Sequence, residues 1–404
     1  MADYSLGLEQ THEQSGTTFT VTFDGISDSN LIDVTPKEVM LGESLLTPGL
    51  QTSVKFDSYL HSVPVKMFDN FKNADIFINI EKPSIGGSLS VSQKVYRLDT
   101  RHLINNNTER MTLRACDKTQ LKDPAILVSK SWKCTSPSDI VQEVLSDCLQ
   151  ADSIDVEPSS YPRDYIAENI HPTQVVSQQA GYALAGDNDP SFIHFMTYEN
   201  GGTHKFRSLK SLSEESSVMS FYFNEINNSL TDPRSILTYN FPCDFDLLSD
   251  ILNGVDENGR NINSLILFDP INKAFSLLND VFGQSDCGIG SGVMKMAISN
   301  ENTYQQQDMC PDYAKEFLQF RQARMGLLNS DKIALRLTVP FNPVLHAGKT
   351  IDVALYNKET RPSLELNYGS GTYLILHMFH HIIEGGLATT TMDCVASTVG
   401  QGIV

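Results

Sequence analysis

The chain has one tryptophan, Trp132, and no cysteine pair at C-x-x-C spacing. Scarce tryptophan argues against a carbohydrate-binding module, which shows clustered exposed aromatics. Without C-x-x-C there is neither a zinc ribbon nor a thioredoxin-type site to assign. The seven cysteines are Cys116, Cys134, Cys148, Cys243, Cys287, Cys310 and Cys394. Scattered and odd in number, they read as buried free thiols of a reducing compartment. No apolar run approaches the roughly 18–20 residues needed to span a bilayer, so no membrane insertion is expected. The opening MADYSLGLEQTHEQ lacks a basic start and an apolar stretch, which reads as no secretory leader and as folding in a cytoplasm.

Positive charge is also short. Lys and Arg number 30 against 49 Asp and Glu, for a formal net charge of -19. Such a surface repels phosphate backbones and argues against a nucleic-acid reader, though not against a passive place beside DNA. What is present is ordinary globular material, 40% hydrophobic and 20% charged. At 404 residues the chain is long enough for two or more compact units.

The first third alternates with period two. Phe19, Val21 and Phe23 interleave with Thr20 and Thr22. Ile76, Ile78 and Ile80 share one side, and Met111, Leu113 and Ala115 another. Pro48-Gly49, Gly86-Gly87 and Asn105-Asn106-Asn107 punctuate these runs as turns, which suggests a small antiparallel barrel or sandwich. The character changes near residue 120. Ser136-Pro137-Ser138-Asp139 is a helix start, followed by an apolar stripe of Ile140, Val141, Val144, Leu145, Cys148 and Leu149. A second helix is expected from Pro172, carrying Val175, Val176, Ala180 and Ala183. A strand pair is expected around 191–198 and 204–209, turned at Asn200-Gly201-Gly202. The run 218–223 is dense in β-formers. Asp244 should cap a short helix closed by Gly254, Gln284 to Gln307 reads as weakly structured, and Pro311–Leu328 reads as helical. Clean strands return at Ile333–Val339, Ile351–Leu355, Tyr373–Phe379 and Thr389–Ala396.

Each candidate for chemistry has a plainer reading beside it. His346-Ala347-Gly348-Lys349-Thr350 mimics the end of a phosphate-binding loop. The required first glycine is replaced by Pro343, and a strand rather than a helix follows Thr350. A hairpin turn with Gly348 at a special dihedral accounts for it. His377, His380, His381 and Glu384 have the chemistry of a zinc site, yet on one strand His380 points away from the other two histidines. Asp187-Asn188-Asp189 lacks the glycine and closing glutamate of a calcium loop. Gly288 to Gly292 follows no strand, and G-x-S-x-G and G-x-G-x-x-G are absent. No catalytic, cofactor or metal residue is assigned.

One resemblance runs through most of the chain. VTPKEVMLGESLLTPGLQTSVKF, YLHSVPVKMFDNFKNADIFINI, KVYRLDT and ERMTLRACD are followed by SPSDIVQEVLSDCLQ and YIAENIHPTQVVSQQAGYAL. Then come PSFIHFMTYENGGTHKFRSLKSL, NGRNINSLILFDPINKAF, LRLTVPFNPVLHAGKTIDVAL and SGTYLILHMFHHIIEGGLATTTMDCV. In this order they resemble the central baseplate hub of T4-like contractile phage tails and the hub half of type VI secretion spikes. The resemblance implies a β-rich α+β chain, with two related antiparallel β-barrel tube domains and an inserted α/β domain. The barrels would be residues 1–118 and residues 216–242 with 326–404. The inserted domain would be 119–215 with 243–325, outside the ring, with its helix Pro137–Leu149 packed on its own sheet. The resemblance further implies a homotrimer that adapts the six-fold tail tube protein to the three-fold central spike protein. Other baseplate subunits would surround it, and genomic DNA would pass without specific binding. It implies assembly in the host cytoplasm, residence in the virion tail, and neither catalysis nor cofactor. Two alternatives stand beside it: the hub of a type VI or phage-derived injection machine, and a metal-dependent hydrolase using His377, His381 and Glu384.

Overall fold

The computed structural model describes residues 8–12, 17–24, 34–59, 74–82, 87–186, 189–223, 232–242, 264–269, 273–279, 294–298, 335–355, 369–384 and 387–396. The chain is β-rich. The first group of strands is β1 (Leu8–His12), β2 (Thr17–Phe23), β3 (Val34–Ser44), β4 (Gln51–Tyr59), β5 (Asp75–Lys82), β6 (Gly87–Asn105) and β7 (Thr108–Cys116). The period-two pattern becomes burial. Phe19, Val21 and Phe23 are buried, and they stand opposite Ile80, Ile78 and Ile76 on β5. Cross-strand apolar pairs of this kind hold one face of a sheet against its core.

A middle segment follows. β8 (Val128–Thr135) pairs with β10 (Arg163–Ile170), and β9 (Ser153–Val156) runs parallel to β12 (Thr203–Ser208), which pairs with β11 (Phe192–Thr197). The helix Pro137–Glu143 continues as a π-turn through Cys148. Its cap is the expected one, with Asp139 N donating to Ser136 Oγ at 3.2 Å. Ile140, Val141, Val144, Leu145 and Leu149 are buried with Trp132, Tyr165, Phe192 and Phe206. The stripe therefore packs on this segment's own strands. The second helix spans Pro172–Tyr182 and buries Val175, Val176 and Ala180. Asn200, Gly201 and Gly202 all have positive φ at the turn between β11 and β12.

The last group is β13 (Met219–Phe223), β14 (Thr238–Asn240), β18 (Leu335–Pro340), β19 (Thr350–Leu355), β20 (Gly371–Ile383) and β21 (Ala388–Val395). Between them β15 (Ser264–Asp269), β16 (Ala274–Asn279) and β17 (Met294–Ile298) form a separate sheet. The stretch 284–307 reads as weakly structured, yet within it Met294–Ile298 is a strand, β17, paired in parallel with β15; the rest of the stretch lies outside the described residues. Parallel pairing joins segments distant in sequence and leaves no turn signal between them. The helices expected at Asp244–Gly254 and Pro311–Leu328 lie outside the described residues.

The two flanking groups follow one path. The first reads β2-β5-β6-β7-β4-β3, and the second β13-β19-β20-β21-β18-β14. Lettered a to f in chain order, both are a-d-e-f-c-b. Every pairing from d to b is antiparallel in both groups. The a strand differs: β2 is antiparallel to β5, whereas β13 is parallel to β19. In the second group Tyr222 N donates to Arg234 O and Ile236 N to Tyr222 O, so the segment leading into β14 returns to β13. The groups meet where β3 pairs with β20, from Ser44 opposite His377 to Glu38 opposite Ile383.

Cys116, Cys148 and Cys394 are free, but Cys134 is disulfide-bonded. This corrects the reading of free thiols throughout. Spacing along the chain is silent about which cysteines meet across it.

Candidate functional site: the junction of the two β groups

Strand β3 carries Val39 and Leu41 on its buried side, and period two puts Glu43 on the same side. Glu43 is 2% exposed. A carboxylate out of water needs donors, and three converge here. Tyr198 N, from the end of β11, donates to Oε1 at 2.7 Å. His346 Nδ1 lies 2.9 Å from the same oxygen, and Ala347 N donates to Oε2 at 2.7 Å. Two backbone N–H groups and the His346 ring therefore close on one buried carboxyl. One side chain of the first group thus holds the middle segment and the loop before β19.

Further contacts cross the same boundary. Lys82, fully buried at the end of β5, donates from Nζ to Phe341 O at 2.7 Å, and burial pulls its pKa down to about 8. Phe341, Ile382 and Ala388 of the second group lie in the core of the first, with Met196 and Tyr198. Tyr198 Oη donates to Gln51 O at 2.8 Å and lies 3.0 Å from Thr52 Oγ1. Burial raises its pKa. Gly87 also belongs to this boundary, since a Cβ there would stand 2.7 Å from Pro343 Cγ.

The histidines of β20 point to different partners. His380 is fully buried, with Nδ1 2.8 Å from Thr390 Oγ1, and burial pulls its pKa down to about 3. Burial also lowers His377, against the pull of Asp393, which Arg336 holds through two bonds at 2.5 and 2.9 Å. His381 Nε2 lies 3.1 Å from Glu38 Oε1. Burial raises the Glu38 carboxyl, but Lys55 at 2.6 Å and His381 outweigh it and the net shift is downward. Glu384 is ion-paired with Lys37. Among the described residues no three His, Cys, Asp or Glu side chains are grouped to hold a metal ion.

The other sequence candidates are structural parts. Gly348 has φ of +83°, with Phe195 and Leu45 where a Cβ would point. The special dihedral is present, but the hairpin is not: β18 pairs with β14 and β21, and β19 with β13 and β20. Lys349 Nζ sits 3.1 Å from Glu215 and 3.8 Å from Glu199, and Thr350 starts a strand. Asp189 is buried and accepts from Ser191 N at 2.9 Å. Asp187, Asn188 and Gly288 to Gly292 lie outside the described residues. Sequence reasoning missed Glu43, Lys82 and Tyr198. For Glu43 the signal was there: a carboxylate in phase with Val39 and Leu41.

No family model matches the chain, and no curated protein matches it. Solved structures do. A tail protein from Neisseria meningitidis MC58 is 9% identical with a TM-score of 0.55, over 94% of this chain and 97% of that one. The 43 kDa tail protein of prophage MuSo2 from Shewanella oneidensis is 9% identical with a TM-score of 0.55, over 94% and 98%. An E. coli protein is described as a type VI secretion component with structural similarity to the T4 tail proteins gp27 and gp5. It is 10% identical with a TM-score of 0.51, over 95% of this chain and 79% of that one. At these identities the likeness establishes a shared fold.

Proposed function

We propose that this chain is the central baseplate hub of a contractile phage tail. Three copies form a ring that adapts the six-fold tube protein above to the three-fold central spike protein below, with other baseplate subunits around it. The observation that carries this reading is the shared a-d-e-f-c-b order of the two β groups. A trimer can meet six equivalent positions only by offering each chain's surface twice, which requires an internal repeat. We read the repeats as two tube-forming barrels, near residues 1–118 and near 216–242 with 326–404. Residues 119–215 with 243–325 are then an inserted domain outside the ring. The likeness to two tail proteins, one of them from a prophage, over nearly their whole lengths supports the same reading. The role is structural rather than catalytic, in the virion tail after assembly in the host cytoplasm. An acidic channel wall would let genomic DNA pass without sticking.

Electron microscopy of the purified protein and of tails tests this. The expected image is a three-fold ring with a central channel. A dimer, or a single copy in the assembled tail, overturns it. The hub of a type VI or phage-derived injection machine is the second reading, favoured by the likeness to the E. coli component. Capsid genes beside the coding sequence separate the two. A hydrolase on His377, His381 and Glu384 has less support, because Glu38 and Lys37 engage His381 and Glu384. Elemental analysis of the purified protein for bound metal tests it directly.

A further inference from the structure

The two β groups repeat one another down to a bulge. On β20 the pairing with β19 ends at Leu374, opposite Thr350, and the ladder to β21 slips between Ile375 and His377. On β6 the pairing with β5 ends at Lys94, opposite Asp75, and the ladder to β7 slips between Val95 and Arg97. At each slip the same bond recurs: Ile375 N donates to Lys349 O at 3.0 Å, and Val95 N to Ala74 O at 2.9 Å. Lys94 therefore corresponds to Leu374 and Arg97 to His377. A second slip on β6, between Leu98 and Thr100, inserts Asp99. Thr100 then matches Phe379, opposite Thr112 and Thr391 respectively, and Leu103 matches Ile382.

Beyond the bulge the strands differ in what lies on their far side. On β20, His377 to Ile383 are covered by β3. On β6, among the described residues, no strand pairs with Arg97 to Asn105 on the side away from β7. Here Tyr96, Leu98, Leu103 and Ile104 are 51%, 39%, 56% and 45% exposed. Leu376, Met378 and Ile382, the counterparts of the first three, are fully buried. A long strand edge flanked by apolar side chains is a liability in a soluble chain unless something pairs with it.

The repeat says what pairs with it. The strand covering β20 is the b strand of the other group, β3, and the b strand of the second group is β14. Val39 stands opposite Val54 and Tyr239 opposite Leu337, at matching ladder positions. All of β14 is exposed, and among the described residues it pairs only with β18. We infer that β14 of a second copy of this chain lies antiparallel on the open half of β6, with Tyr239 opposite Leu103 and Asn240 opposite His102. This copies the internal register of Val39 opposite Ile382 and Met40 opposite His381. The contact is head-to-tail, and its closure at three copies rests on the ring reading.

Mixing two single variants, Leu103→Cys and Tyr239→Cys, under mild oxidation reports only contacts between chains, because neither chain holds both thiols. Directly opposed residues have Cβ atoms within disulfide reach. The expected result is a cross-linked pair in the mixture, above the background of either variant alone and of the parent chain with its native cysteines. Leu98→Cys mixed with Tyr239→Cys should give none. Leu103→Lys, at an exposed site, should keep the circular dichroism of the parent and lose the oligomer in sedimentation. A trimer without the cross-link overturns the seam and leaves the ring. A cross-link in open chains rather than trimers overturns the ring and leaves the seam. A protein that stays monomeric and uncross-linked at its highest soluble concentration, or that cross-links equally out of register, overturns the seam.

Discussion

Glu43 joins three parts of the chain with two oxygens, and its removal should be felt by all of them. Glu43→Ala leaves Tyr198 N, Ala347 N and the His346 ring without their acceptor in a closed site. Breaking a buried, charge-assisted network costs about 3–5 kcal/mol. Urea unfolding should show a loss of that size, against less than about 1 kcal/mol for Lys349→Ala. Lys349 lies in a partly exposed ion pair with Glu215 and Glu199, where such pairs contribute little. Lys349→Ala should also change no nucleotide affinity by calorimetry, since no phosphate loop surrounds it. Acid sensitivity has an equally local origin. Burial lowers His380, His194 and His204, so these rings stay neutral when folded. The unfolded chain takes up their protons below about pH 6.5 and the folded chain does not. Stability should hold above that pH and fall as the pH drops from it towards the folded values, by up to about 1.4 kcal/mol per pH unit per group. His380→Gln, which cannot titrate but can still bond Thr390, should flatten part of that slope in urea melts between pH 6.5 and 5.

Among the elements, the helix Pro137–Glu143 is the most local in its causes. Ser136 caps it, Pro137 presets the first turn, and the apolar residues recur at helical spacing. Ser136→Ala should cost about 1 kcal/mol, seen as faster amide exchange in the first turn while β20 stays protected. Strand β20 is the opposite case. Its alternation announces a strand, yet nothing in Gly371–Ile383 says that β19 takes its first part and β3 its second. That division depends on partners far away in sequence, and register follows from which face each partner must bury. Strand β17 was illegible for a related reason, since its signal lies in its pairing with β15. The loop at Gly348 was half legible: the glycine betrayed a positive φ, but not that the strands on either side part company.

At the scale of the molecule, charge and repeat act against each other. A formal charge of -19 per chain opposes bringing copies together. Salt shortens the screening length from about 30 Å at 0.01 M to about 8 Å at 0.15 M. Raising ionic strength over that range should therefore shift sedimentation towards the assembled form, whereas an assembly held by opposite charges would come apart. On the proposed seam the repeat supplies the attraction: main-chain pairing and exposed apolar side chains along the half of β6 that no described strand covers.

Much of this was written locally. Alternation at Phe19–Phe23 and Ile76–Ile80, the cap at Ser136, the absence of catalytic motifs and the acidic balance follow from neighbours in the chain. Period and composition need no knowledge of what lies opposite. The meeting of Glu43 with His346, 303 residues apart, is different. So are the disulfide at Cys134, the common strand order of two groups unlike in sequence, and the open half of β6. Each depends on which strand lies beside which, and side-chain pattern alone leaves that choice open because any alternating strand can pair with any other. Packing around shared cores settled it, placing a buried carboxyl where three polar groups converge and leaving half of β6 without a second strand among the described residues.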